Sequence, residues 1–191
     1  MKRLSIAASL GAIALIATVP FVGGSPVFAK LQNAGMVIAQ NTQRQPQVKL
    51  NLGAEKQVVT KDQQGKQKVT WQAVQGNVSV QPGDVLRYTL SGTNSSDRPI
   101  KNLAVTQPIP KGTMYILNSA TVEQNKGAKI SYSIDNGKSF VKKPTVQVKL
   151  ANGKVETKPA PAEAYTQVRW NFGGAVAPKA AMKATYQVKV R

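Results

Sequence analysis

The chain contains neither histidine nor cysteine among its 191 residues. Without an imidazole, the Ser-His-Asp and Cys-His catalytic arrangements cannot form, and the usual proton-transfer base near neutral pH is missing. Zinc, copper and iron sites that depend on imidazole or thiolate ligands are excluded for the same reason. Because there is no thiol, no disulfide can form, and the folded chain must draw its stability from core burial.

Acidic residues are also few: the chain has eight, against 26 lysines and arginines. They are scattered singly, mostly beside predicted turns: Glu55, Asp62, Asp84, Asp97, Glu123, Asp135, Glu156 and Glu163. A glycosidase holds two carboxylates about 5 to 9.5 Å apart across a sugar. Residues that are distant in sequence can meet in a fold, but the scattered positions of these acids do not indicate such a pair. The sequence predicts a non-enzyme with no catalytic, cofactor-binding or metal-ligating residue and no cofactor.

Two clusters of polar side chains are candidate sites. A Ser-Lys dyad is the one nucleophile pattern left, but its candidates stand in a predicted hairpin, where surface exposure is the simpler interpretation: Ser131, Ser133, Ser139 and Lys138. Oxygen ligands for calcium crowd one loop, Asn94-Ser95-Ser96-Asp97, without the spacing of an EF-hand. Since turns select Asn, Ser and Asp for their own hydrogen bonding, the sequence predicts a turn there.

No segment of useful length has a helical period after residue 29, whereas period-two alternation recurs along the chain. Leu86, Tyr88 and Leu90 alternate with Val85, Arg87 and Thr89, and similar patterns surround residues 48–52, 69–73, 103–105, 115–117, 120–122, 130–134, 146–150, 168–172 and 182–190. Polar turns separate them, including Asp135-Asn136-Gly137 and Asn152-Gly153, which favour tight hairpins. The pattern predicts an all-β protein, an antiparallel β-sandwich of about seven to nine strands.

A family resemblance rests on residues 81–112. Pro82-Gly83-Asp84, Tyr88, Asn94, Pro110 and Gly112 match the pattern of the bacterial conserved-repeat domain known as domain of unknown function eleven. Residues 132–140 and 165–170 are similar to a hairpin and a late strand of its cell-envelope members, so the likeness spans about residues 47–191. The resemblance implies an immunoglobulin-like sandwich in an envelope or secreted protein, without catalytic residues.

The chain departs from that family at two points. Gln107 stands where the family usually has aspartate, which puts a metal role for that position in doubt. There is also one copy of the domain where many relatives carry tandem repeats, which weakens an interpretation as a long stalk.

The start of the chain has the pattern of a secretory signal peptide. Lys2-Arg3 precede an apolar run over residues 4–22, and Val27-Phe28-Ala29 has the small residues of a signal-peptidase cleavage site. Cleavage after Ala29 is expected to leave a chain that begins at Lys30. Val37-Ile38-Ala39 is a second candidate cleavage site, and cleavage there would leave a chain that begins at Gln40. The alternative is an uncleaved membrane anchor. We expect a periplasmic or secreted protein whose processed chain has no membrane span.

Three parts are therefore expected: a signal peptide at residues 1–29, a flexible tether rich in Gln and Asn at 30–46, and one sandwich domain at 47–191 that works as a monomer. Removal of the leader takes two basic residues and no acidic one, so the net formal charge becomes +16. This excess attracts polyanions. Much of this positive charge lies at dispersed, outward-facing positions of the predicted strands: Lys49, Lys68, Arg87, Lys149, Lys183, Lys189 and Arg191.

The sequence thus predicts an exported, non-enzymatic module that acts by structural placement or protein interaction in the cell envelope. The alternative is a recognition module for an acidic polysaccharide or another envelope polyanion, and an enzyme is a third interpretation. Nucleic acid is not an expected partner, because export removes it from reach and because Tyr115, Tyr132, Trp170 and Tyr186 are placed as core residues rather than as a base-stacking platform.

Overall fold

A computed structural model describes residues 16–18, 48–75, 79–123 and 127–191. The predicted tether and all of the predicted signal peptide except Ile16–Thr18 lie outside these residues. The strands are β1 (Ile16–Thr18), β2 (Val48–Lys61), β3 (Gln67–Ala73), β4 (Val85–Asn94), β5 (Ile100–Lys101), β6 (Ala104–Pro108), β7 (Thr113–Tyr115), β8 (Thr121–Glu123), β9 (Lys129–Ser133), β10 (Thr145–Lys149), β11 (Val155–Pro159), β12 (Gln167–Asn171), β13 (Ala175–Val176) and β14 (Ala181–Val190).

The larger sheet has six strands in the order β3-β2-β4-β14-β7, with β8 also paired to β14. Strands β4 and β14 form its centre and run antiparallel, with Tyr88 opposite Tyr186. Both strands alternate strictly between buried and more exposed positions, as their sequences predict. Every second residue of each strand therefore points into the core, and the residues between them form the outer face of the sheet.

The smaller sheet has four antiparallel strands in the order β1-β6-β12-β9. Its inner face packs on the larger sheet, where the rings of Trp170 and Tyr186 lie 5.8 Å apart. The Tyr186 hydroxyl also crosses between the sheets and donates to the carbonyl of Pro108. Buried residues from both sheets form one hydrophobic cluster, so the predicted antiparallel β-sandwich is confirmed.

The strand count exceeds the predicted seven to nine, because two-residue and three-residue strands complete the sheet ends and because β10 and β11 form a separate two-stranded ribbon. The strand predicted to run to Leu117 ends instead at Tyr115. The chain turns there through Asn118, which has a φ of 62°, and leaves Leu117 45% exposed.

The Asp135-Asn136-Gly137 turn forms, with φ of 59° at Asn136 and 89° at Gly137. It does not open a full hairpin as predicted: beyond it, β9 gains a single bridge, between Tyr132 and Val141. The Asp135 carboxylate accepts bonds from both the backbone and the hydroxyl of Ser139, and these close the chain into a loop instead. The second predicted hairpin, between β10 and β11, is confirmed.

Across the described ranges, no helix is both long and apolar enough to cross a membrane.

Candidate interaction surfaces

The candidate calcium loop, residues 94–97, is a turn held by the side chain of Asn94. This residue is fully buried at the end of β4, and its amide nitrogen lies within hydrogen-bonding distance of the carbonyls of Arg98, Val176 and Ala177. Its side-chain oxygen accepts from the backbone and the hydroxyl of Ser96. The amide thus ties β4 to the loops beside it. In the part of the chain that the structure describes, no group of three or more acidic residues could hold a metal ion.

Two of the candidate serines for a Ser-Lys dyad, Ser133 and Ser139, form hydrogen bonds within the loop after β9. Ser133 is buried rather than exposed, which corrects the expectation for that residue, and its hydroxyl donates to Asp135 at 2.6 Å. The same oxygen accepts from the backbone of Gly137. Ser139 donates its hydroxyl to the other oxygen of Asp135. These bonds hold the pKa of the Asp135 carboxyl well below its usual range.

A groove of about 830 Å³ runs across the outer face of the larger sheet. Hydroxyl and amide side chains from β2, β4, β8, β14 and the segment just before β8 line its floor: Asn51, Thr89, Ser119, Thr121, Thr185 and Gln187. The hydroxyls of Thr121 and Thr185 bond to each other at 2.7 Å. Sequence reasoning missed this groove. Its signal is that several outward positions of neighbouring strands hold Thr, Ser or Gln rather than Lys.

Ion pairs stand at the two ends of the groove. At one end the Arg87 guanidinium bonds Glu55 at 2.8 Å and stacks on the Trp71 ring at 4.2 Å from its centroid. At the other end Lys183 pairs with Glu123 at 3.0 Å. Because an acid accompanies each cation, the groove has little net charge and does not attract a polyanion strongly.

Strand β2 continues beyond the sandwich as one arm of a projecting ribbon. Its first nine residues, 48–56, pair with β4, whereas residues 55–61 pair with β3. The ribbon carries Val59 directly opposite Val69, and the two side chains are 52% and 50% exposed. By strand alternation they lie on the same side of the sheet as Arg87 and the groove. The result is an apolar patch beside a polar groove on one continuous face.

On the described residues, positive charge is spread over several faces rather than gathered on one. Lys68 lies on the β2–β3 ribbon, Lys149 on the β10–β11 ribbon, and Lys189 on the outer face of the larger sheet, all exposed as predicted. Arg169, on the smaller sheet, stacks on Phe140 at 3.5 Å and donates to Thr106. All nine aromatic residues in the described ranges are buried or half-buried, so they do not form a stacking platform.

Three tyrosine rings pack together at one edge of the core. Tyr115 lies 5.4 Å from Tyr132 and 5.1 Å from Tyr165, and its hydroxyl donates to that of Tyr132. Burial, aided by these neighbours, raises the pKa of Tyr132 well above its ordinary value of 10.0. Burial likewise raises the pKa of Tyr88, Tyr165 and, most strongly among these three, Tyr186.

These raised pKa values predict that the protein loses stability above about pH 10. In the unfolded chain a tyrosine releases its proton near pH 10, while the folded chain keeps it, so the folded state binds more protons and stability falls as pH rises. Below pH 10 both states are protonated and this contribution is constant. Urea melts between pH 8 and pH 11.5 measure the slope, and Tyr186→Phe should reduce it by up to about 1.4 kcal/mol per pH unit. An unchanged slope in that variant would contradict the assignment.

The core contains a polar side chain without a partner. Gln107 points inward from β6, opposite Val168, and is fully buried. Within the described ranges, neither its side-chain oxygen nor its nitrogen makes a hydrogen bond, and the indole nitrogen of the buried Trp170 makes none either. Sequence reasoning singled out Gln107 through the family resemblance alone and did not predict its burial.

The class that the fold defines is an antiparallel β-sandwich with a β2–β3 ribbon that extends from its larger sheet and a separate β10–β11 ribbon. No protein-family model, curated protein or solved structure matches the chain. The resemblance to the conserved-repeat domain therefore stays a prediction, resting on the residues quoted for it.

Proposed function

We propose that this protein is an exported, non-enzymatic module of the cell envelope that acts by binding another protein. The observation that carries the proposal is the β2–β3 ribbon, which extends beyond the sandwich and presents Val59 and Val69 as an exposed pair. A two-stranded ribbon that projects from a core is only marginally stable in water, and an exposed apolar pair stabilises it more when a partner covers it.

The size of this effect indicates what else must contribute. Full burial of a valine stabilises by about 1.5 to 3 kcal/mol, so covering two half-exposed valines contributes roughly the same amount in total. A micromolar complex needs about 8 kcal/mol. The remainder has to come from neighbouring groups on the same face, which include the Arg87–Trp71 stack, the groove and the open edge of β3.

The distribution of charge supports protein binding over the polyanion alternative. Arg87 and four lysines are paired with acids, and the paired lysines are Lys56, Lys158, Lys179 and Lys183. The remaining cations of the described residues lie on several faces and on both ribbons. A dispersed surface of this kind binds any acidic polymer weakly. Such binding should collapse as salt shortens the screening length from about 10 Å at 0.1 M to about 3 Å at 1 M.

Photocrosslinking from two adjacent positions tests the proposal. A photoreactive residue at Val69 faces the same side as the groove, whereas one at Thr70 faces the opposite side of the same ribbon, beside Val58. In cells that make the full chain, we expect a discrete protein adduct from position 69 and far less from position 70.

Other results would count against the proposal. Equal labelling from both positions, or no adduct from either, would contradict a docking face on this side of the ribbon. A carbohydrate adduct from position 69 that survives 1 M salt during labelling would replace protein binding with polysaccharide recognition.

A further inference from the structure

Strand β3 presents the longest unpaired edge among the strands that the structure describes. Its residues Gln67–Ala73 pair with β2 on one side, and within the described ranges no strand lies on the other side. Exposed edge strands in natural sheets are usually short or charged, which discourages pairing with another chain. Strand β3 carries a single charge, that of Lys68, so this edge is open to the addition of a strand.

The direction of the free backbone groups follows from the ladder to β2. The amide of Val74, directly after β3, donates to the carbonyl of Ala54 at 2.8 Å. In an antiparallel ladder such bonded pairs alternate with pairs whose backbone groups point away from the partner strand. The even-numbered residues of β3 therefore bond to β2, and the odd-numbered residues direct their amides and carbonyls to the open edge: Gln67, Val69, Trp71 and Ala73. An added strand would find a continuous row of donors and acceptors there.

The two faces of this edge differ in chemistry. Val69 and Trp71 lie on the side of the sheet that carries the groove, where Val69 is half exposed. By strand alternation, Lys68 and Thr70 lie on the opposite side, and both are exposed. A strand that pairs with this edge places its side chains alternately beside an apolar pair and beside a polar, cationic surface. Such a strand needs apolar residues at every second position, with polar or acidic residues between them.

The tip of the ribbon carries unbalanced positive charge. Residues 60–69 hold three lysines and one aspartate, and within the described ranges no acid lies at ion-pair distance from any of the three: Lys61, Lys66 and Lys68. The carboxylate of Asp62 accepts instead from the backbone amides of Gln64 and Lys66. A second copy of the chain would bring the same positive tip, and like charges would then oppose each other. An acidic segment of another protein is attracted.

We propose that the open edge of β3 is a strand-acceptor site and that an extended, acidic segment of the partner protein occupies it. The segment bonds to the amides and carbonyls of the odd-numbered residues of β3. It places apolar side chains beside Val69 and Trp71 and an acidic side chain beside Lys68, on the opposite side of the ribbon. The larger sheet thereby gains a strand, and the exposed side of Val69 is covered. This inference rests on the proposed function and deepens it, because it gives the class of partner segment and the way in which it binds.

The crosslinking experiment from position 69, repeated with two pairs of variants, tests the site. Ala73→Pro removes one amide of the open edge and no bond to β2, whereas Ala73→Val keeps the amide and adds a side chain of similar size. We expect the yield of the adduct to fall about fivefold in the first variant, the factor that corresponds to one net hydrogen bond. In the second variant the yield should stay within about twofold of that of the parent chain, because no bond to the partner is lost.

Lys68→Glu and Lys149→Glu form the second pair, because each reverses one exposed charge and the two residues lie on different ribbons. The adduct yield should fall about threefold in the first variant alone, because an exposed ion pair of modest strength becomes a repulsion. In all four purified variants the Val74 amide, bonded to Ala54, should keep its hydrogen-exchange rate, which reports an intact ribbon. The charge pair leaves the backbone unchanged, so it decides the matter even if the proline disturbs the ladder.

Three results would overturn this inference. Equal yields from Ala73→Pro and Ala73→Val would place the partner on the face of the ribbon and not at its edge. Equal yields from the two lysine variants would show that the bound segment is not selected for its acidity. An adduct joined to a second copy of this chain would assign the edge to self-association. With the first two results, an adduct to another protein from position 69 still supports the proposed function, whereas the absence of any adduct in the parent chain contradicts the proposed function itself.

Discussion

Replacement of Trp170 by alanine should lower the free energy of unfolding by about 3 to 5 kcal/mol, the usual range for removing a large aromatic side chain from a core. Trp170 is fully buried on β12, between Val105 on one neighbouring strand and Ile130 on the other. It also contacts the Tyr186 ring of the opposite sheet. Its loss would open a cavity between the two sheets, and strands held by ladders on both sides can close such a cavity only in part.

Urea melts of Trp170→Ala and Lys183→Ala measure this difference. Lys183 lies on the outer face of β14, where its pair with Glu123 is about half exposed, so its removal should change stability by no more than about 0.5 kcal/mol. Equal losses in the two variants would mean that the inner and outer faces of the sheets are wrongly assigned.

Replacement of Gln107 by methionine should raise the free energy of unfolding by about 1 to 3 kcal/mol, the desolvation penalty of a buried polar group that has no partner. Most substitutions in a core destabilise, so the sign of the effect is the informative result. Methionine has nearly the same length and shape as glutamine and brings no group that needs a strong hydrogen bond. It keeps the contact with Val168 across the ladder.

Gln72→Met is the matched control, because Gln72 is exposed on β3 and the same chemical change there removes no buried amide. Its unfolding midpoint should stay close to that of the parent chain. A destabilised Gln107→Met variant would mean that the amide has a bonding partner in solution, and an equal gain in both variants would assign the effect to strand propensity instead.

Much of the fold could be predicted because alternation reports the inner and outer faces of a strand directly. In β4 and β14 the predicted inward residues are buried along the whole central ladder. The same period in β3 predicted which residues share a face but not what packs on that face. Val69 and Ala73 lie on one side of the ribbon, and both are exposed to solvent rather than covered by another sheet of the described residues. Whether another layer packs on a face depends on contacts between distant segments, which a local period does not contain.

The candidate surfaces were less predictable for a similar reason. The groove arises from outward residues of strands that are far apart in sequence and become neighbours through pairing, as Thr121 and Thr185 do. The burial of Ser133 depends on the loop that Asp135 closes, where the sequence favoured an exposed hairpin. The burial of Gln107 could not be predicted from the sequence either, because a glutamine within an apolar strand is compatible with either face of the sheet.

The continuity of β2 has a mechanical consequence. The strand carries the projecting ribbon at one end and nine consecutive pairs with β4 at the other. A partner that pulls on the ribbon tip therefore transmits tension along the axis of β2, across the direction of the hydrogen bonds that join it to β4. In that geometry the bonds of the ladder share the tension in shear instead of separating one after another, so the sandwich resists force applied at the ribbon better than force that peels a strand from its end.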